Sequence, residues 1–189
     1  MTQLDRDDLV RGLRELVALA HQRGIRGVSI RIVGGAALRL AHFERATTAD
    51  IDAQIRPMEA VQPLIEIVAR NHGWPTDWLN TNATMFLPSW GRDVEWVHVF
   101  DDDNVSIDVA PIDALLAMKL NAARPGRDTD DIAKLLVLNG IDSVDEAESL
   151  FESYYPGEAL SSRAMRLLAR IYELGLPPKP DAPPTFRLD

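Results

Sequence analysis

The sequence predicts an α+β fold: a mixed sheet flanked by helices, followed by a C-terminal helical part. Three observations carry that prediction. Short β-branched runs alternate with helix-period segments through the first 111 residues. Two of those runs, 94–100 and 105–111, are joined by only Asp101-Asp102-Asp103-Asn104, which makes an antiparallel hairpin. From residue 112 onward every periodic segment has a helical repeat. The chain therefore divides into an α/β core over 1–111 that includes an N-terminal helix, a helical part over 112–175 and a Pro-rich tail over 176–189.

The elements follow in order. Residues 5–22 put Leu9, Leu13, Leu16 and Val17 near one helical face, with Gly24 as the stop. Residues 27–33 alternate and are β-branched, so they read as a strand. Gly34-Gly35 turns that strand into a short helix over 36–43. The next strand is 49–57, ended by Pro57. A helix over 58–73 closes on Gly73. The Trp-containing stretch that follows offers a short strand at 83–87. After the hairpin come helices over 112–124, 128–140, 143–155 and 158–175. The third of these opens with a capping box, Ser143 and Glu146.

Composition narrows the function classes. The chain has 189 residues, 46% of them hydrophobic, enough for a core. It has no cysteine, which excludes disulfides, thiolate zinc sites and cysteine nucleophiles. The N-terminus is charged and lacks an apolar signal core. No apolar run approaches the roughly 18 residues that cross a bilayer. The expectation is a cytoplasmic protein with no membrane partner. The net charge of −9 disfavours a general affinity for nucleic acid and leaves room for a local basic patch. Arg163, Arg166 and Arg170, spaced i, i+3, i+7 on the last helix, are such a patch or a solvated face.

Three aspartates carry the chemistry. Asp50 and Asp52 lie two apart on one strand, so both point to one face. Like charges so placed repel unless something compensates, and a divalent cation is a natural compensator. Magnesium takes one or two carboxylates and completes its shell with phosphate oxygens and water. Asp108, flanked by Ile107 and Val109, is a third carboxylate in an apolar setting; in a strand beside that of Asp50 and Asp52 it would complete a triad. Gly34 and Gly35, at a strand-to-helix turn, let backbone N–H groups approach a phosphate. Histidines 21, 42, 72 and 98 show no metal-ligand spacing. The tryptophans at 74, 78, 90 and 96 are packing residues or a stacking surface for a base.

The order Val33-Gly34-Gly35, Asp50-Ile51-Asp52 and Ile107-Asp108-Val109 resembles the nucleotidyltransferase superfamily of the DNA polymerase β type. Fourteen residues separate Gly35 from Asp50, slightly more than that pattern has, and Gly35 stands where a serine is commoner. Downstream, "LLAMKLNAARPGRDTDDIAKLL" resembles the "KL-x-A…R…RD-x-x-D" segment of the AbiEii/MenT group, toxin-type nucleotidyltransferases of bacterial toxin–antitoxin systems. Arg45, Thr47 and Thr48 of "RATTADID" point the same way. The likeness covers about residues 30–56 and 105–136.

The resemblance implies a nucleotidyltransferase-like sheet and a magnesium-dependent enzyme that moves NMP from an NTP to an acceptor. It implies Asp50, Asp52 and Asp108 as metal ligands, and Lys119 as a phosphate contact. Asp128 and Asp131 match the two family aspartates, with the choice between them open; an N-capping role competes for both. For Lys119 the competing reading is a snorkelling side chain. Arg124 and Arg127 are candidates for phosphates or an RNA end. The implied acceptor is the 3′ end of tRNA, which would make the chain a toxin silenced by an antitoxin protein. A small-molecule or protein acceptor, and a non-catalytic nucleotide-binding or partner-binding relative, stay open.

Overall fold

The computed structural model describes residues 3–44, 48–185 and 188. Their elements are α1 (Arg6–Gln22), β1 (Val28–Val33), α2 (Gly34–Ala37), β2 (Ile51–Arg56), α3 (Met58–His72), β3 (Leu79–Asn80), β4 (Val97–Asp101), β5 (Val105–Val109), α4 (Ile112–Ala122), α5 (Thr129–Asn139), α6 (Val144–Tyr154) and α7 (Ser162–Leu174). The fold is α+β with a mixed sheet. Among the described residues no helix is long and apolar enough to cross a membrane.

The chain forms two compact units. The first comprises residues 1–84, 96–110 and 182–189; the second comprises 85–95 and 111–181. The tail is therefore shared between the units, and segment 85–95 groups with the helices.

In the first unit five strands are ordered β3-β2-β1-β5-β4. β1 pairs antiparallel with β2 and parallel with β5, and β4 pairs antiparallel with β5. The alternation in the sequence is the alternation in the sheet. Ile30, Ile32, Ile51, Ala53, Val105, Ile107 and Val109 are buried, while Arg31, Asp52, Gln54 and Asp108 between them keep partial exposure. The apolar stripe of α1 buries Leu9, Leu13, Leu16 and Ala20, and α3 buries Leu64, Ile65 and Val68. Trp78 is fully buried, and its indole N–H donates to the Ile65 carbonyl at 3.1 Å.

Gly12 of α1 makes room for two of the tryptophans. A Cβ there would lie 2.7 Å from the Trp78 ring and 2.8 Å from that of Trp74. Gly12→Ala gains about 1 kcal/mol of helix propensity, yet it overpacks rigid rings at about 1–3 kcal/mol. The expected net result is a loss of roughly 1 kcal/mol in urea denaturation, where a gain in stability would contradict this packing.

The second unit packs α4 to α7 around Leu115, Leu116, Leu120, Ile132, Leu136, Phe151, Leu168 and Ile171. The 85–95 segment straps onto α6. The Arg92 N–H donates to the Ser153 carbonyl at 2.7 Å, and the Arg92 guanidinium pairs with Asp113 at 2.9 Å. Ser143 caps α6 by accepting from the Glu146 N–H, but the Glu146 carboxylate accepts from Asp142 N–H rather than closing a capping box on Ser143.

Several boundaries differ from the sequence-based expectation. Residues Asn82–Phe86 form a 3-10 turn instead of a strand at 83–87. The short helix after β1 begins at Gly34 itself and continues as a π-helical turn over Leu38–His42. β4 starts at Val97, three residues later than expected, and α7 starts at Ser162 because Ser161 caps it by accepting from the Ala164 N–H. Arg45 and Thr47 lie outside the described residues.

Candidate active site

The first unit brings the glycine turn and the Asp-x-Asp strand together. Val33, the last residue of β1, stands opposite Asp52 of β2. The next residue, Gly34, turns the chain with φ +65°, a left-handed conformation that favours glycine. A Cβ on Gly34 would lie 3.1 Å from the Asp52 carboxylate. The glycine is thus required twice, by its backbone and by its neighbour. Gly35 follows in the first turn of α2 and, like Gly34, keeps partial exposure.

β2 starts at Ile51, so Asp50 stands just before the strand expected to carry it and Asp52 lies on it; both are half-buried. Asn80 on β3 stands opposite Asp52, and its side-chain amide donates to Asp50 Oδ2 at 2.9 Å. That amide also donates to the Asp77 carbonyl, while its oxygen accepts from Asn82 N–H at 2.8 Å. Asn80 is buried and held from several sides, so it fixes the Asp50 carboxylate rather than following it. The Thr48 hydroxyl donates to the Asp50 carbonyl at 3.1 Å and anchors the start of the strand. Sequence reasoning missed Asn80, because a two-residue strand carries no periodic signal.

Asp108 lies on β5, which is not next to β2, so the expected strand adjacency is corrected. β1 stands between β2 and β5, and the register pairs Asp108 with Arg31 while Asp52 pairs with Val33. Asp108 has its own partners. His98 Nδ1 donates to Asp108 Oδ1 at 2.9 Å, and Arg31 Nε lies 3.7 Å from its other oxygen. The Arg31 guanidinium in turn lies over the Trp96 ring, 5.2 Å from its centroid. His98 had no signal in the sequence because its partner comes from the neighbouring strand. Among the described residues no three His, Asp or Glu side chains form a metal cage.

The other expected site residues form one buried network in the second unit. Lys119 of α4 is 6% exposed, Asp128 0% and Asp131 2%, which rules out snorkelling for the lysine. Lys119 Nζ donates to Asp128 Oδ1 and to Asp131 Oδ2, both at 2.7 Å. The Arg124 guanidinium grips Asp128 from the other side, with Nε at 2.8 Å and Nη2 at 3.2 Å. Ala123 makes this possible: with φ +40° it ends α4 in a left-handed turn that is costly for alanine. Asp128 occupies the N-cap position of α5 but its side chain makes no cap hydrogen bond, so its carboxylate serves the network. Burial alone would raise the pKa of Asp128; hydrogen bonding from Arg124 and the charge of Lys119 outweigh that and hold it below the usual carboxylate value. Arg127 is exposed in the loop before α5.

The tryptophans divide by role. Trp78 is core, Trp74 stacks on His72 at 4.4 Å, Trp96 supports Arg31 and Trp90 is exposed. Compared with known proteins, the chain matches no family model, no curated protein and no solved structure.

Proposed function

We propose that this chain is a magnesium-dependent nucleotidyltransferase that transfers NMP from an NTP to an acceptor hydroxyl and releases pyrophosphate. The observation that carries the reading is the contact between the glycine turn and the Asp-x-Asp strand: Gly34 packs against the Asp52 carboxylate, with Asp50 held beside it by Asn80. The donor set suits a hard cation. It is all oxygen and half-buried, with Asp52 on β2 and Asp50 at the residue before it, and among the described residues no Lys, Arg or His forms an ion pair with Asp50.

In this reading Asp50 and Asp52 hold the metal, and Asn80 aims Asp50. On the same reading the glycine turn would let backbone N–H groups of Gly34 and Gly35 approach a phosphate. Bound magnesium supplies neutralisation of phosphate charge. The acceptor oxygen forms a bond to the α-phosphorus, the bond from that phosphorus to the β-phosphate bridge oxygen breaks, and pyrophosphate carries away the electron pair. The acceptor proton passes to solvent or to a carboxylate. Asp108, engaged by His98 and Arg31, is left out of the metal set.

Lys119, Arg124, Asp128 and Asp131 enter the reading as a charge network that fixes the α4–α5 corner. Their implied nucleotide contacts, the tRNA acceptor and the antitoxin partner rest on the family resemblance alone. The test is a transfer assay with magnesium, each α-labelled NTP in turn and total bacterial RNA. Label in tRNA-sized RNA that disappears with Asp50→Ala is the expected result. Metal-dependent NTP binding with no labelled RNA moves the acceptor to a small molecule or protein side chain. Absence of both transfer and binding sinks the proposal.

A further inference from the structure

The second unit contains an open groove of about 460 Å³ between the loop before α5 and one face of α7. Pro125, Leu167 and Leu174 make its lining apolar, and Arg163, Arg166 and Arg170 add three guanidinium groups. All three arginines are exposed, and among the described residues none has a carboxylate or hydrogen-bond partner. In the same unit Arg92, Arg124 and Lys134 each hold an aspartate. Three like charges on one helical face repel one another, and this chain has acidic groups in excess. The groove is built for an anion that comes from outside.

Geometry narrows the occupant. The arginines spread over about 10 Å of helix axis at 1.5 Å per residue. An extended acidic peptide would set backbone N–H and C=O groups against the apolar lining, which offers them no partner. A nucleotide strand has no such cost. Its bases present flat apolar faces to the lining or stack on guanidinium planes, and its phosphates match the guanidinium fork.

We infer that this groove binds a single strand of nucleic acid, its phosphates on Arg163, Arg166 and Arg170 and its bases against Pro125, Leu167 and Leu174. The inference does not rest on the transferase reading, since it needs neither the metal site nor an NTP.

The test is fluorescence anisotropy of the full chain with a labelled single-stranded RNA of about 12 nucleotides, in EDTA to remove any metal-dependent binding. Three neutralised phosphates give a log–log salt slope of about −2, so affinity falls roughly twentyfold between about 50 and 200 mM salt. Each Arg→Ala removes about 0.7 from that slope. The triple variant Arg163→Ala, Arg166→Ala, Arg170→Ala loses at least about tenfold in affinity at low salt, with its melting temperature unchanged because the side chains are exposed. Wild-type binding by the triple variant overturns the inference, as does an absence of binding at low salt. Displacement of the RNA by equimolar ATP assigns a mononucleotide pocket instead. Sedimentation that shows a dimer at low salt, lost in the triple variant, gives the arginines to an acidic surface of a second copy.

Discussion

Lys119→Met is expected to cost about 3–5 kcal/mol of folding stability, the usual cost of removing one member of a buried ion network. The reason lies in what remains. Asp128 and Asp131 are almost completely enclosed, and each accepts a hydrogen bond from Lys119 at 2.7 Å. Methionine fills the space but leaves two carboxylates that water cannot reach. Arg124 still holds Asp128, but neither carboxylate keeps the charge of the lysine. Adding Asp131→Leu should recover part of the loss, because removing both partners of a buried pair is often close to neutral. Urea denaturation followed by circular dichroism measures both. A loss below about 1 kcal/mol for the single variant would show that water reaches the network. Lys119→Arg tests the phosphate contact separately: an increased KM for NTP with an unchanged melting temperature would restore that role.

The same network sets an acid limit. Asp128 is held below the ordinary carboxylate value because burial, which raises it, is outweighed by Arg124 and Lys119. A depressed folded-state pKa contributes stability that is fully present above the unfolded value of about 3.9. That contribution is lost as pH falls through the depressed folded value. Asp128→Asn should therefore flatten the acid limb of the stability curve below about pH 4 while lowering stability at neutral pH. An unchanged acid limb would mean that Asp128 does not carry it.

The network also shows where a sequence stops being legible. Lys119 within an apolar helix was a visible anomaly, and so were two aspartates three apart at a helix start. Their union was not visible, because it depends on Ala123 adopting a left-handed turn that alanine disfavours. The sheet divides in the same way. Strands β1, β2 and β5 announce themselves by alternation, which reflects one buried and one open face. Which strand lies beside which is a matter of long-range pairing, and there the expected neighbourhood of Asp108 failed: β1 takes the place between it and Asp52. Asn80 and His98 were illegible for the same reason. Each is ordinary along the chain and meets its aspartate only through long-range pairing.

Asp50→Asn and Asp52→Asn are each expected to reduce nucleotidyl transfer by at least about 10²-fold, the scale of losing one group that stabilises transition-state charge. Neither should unfold the protein. Both side chains are half-buried, and asparagine keeps the size and one acceptor oxygen of each. In EDTA both variants should therefore melt cooperatively and close to the wild type. Magnesium separates the metal role from a purely structural one. A cation that binds only the folded state stabilises it by about 2.7 kcal/mol at a hundredfold excess over its Kd. Wild type should melt higher in magnesium than in EDTA, and the variants should not. Asn80→Ala gives the intermediate case: it leaves both carboxylates but frees Asp50 from its 2.9 Å hydrogen bond. Its loss should appear as weaker magnesium dependence, with activity recovered at high magnesium. A magnesium-induced shift that survives in Asp52→Asn would place the metal elsewhere. Full activity in either aspartate variant would remove the pair from the chemistry and leave the Gly34–Asp52 contact as architecture.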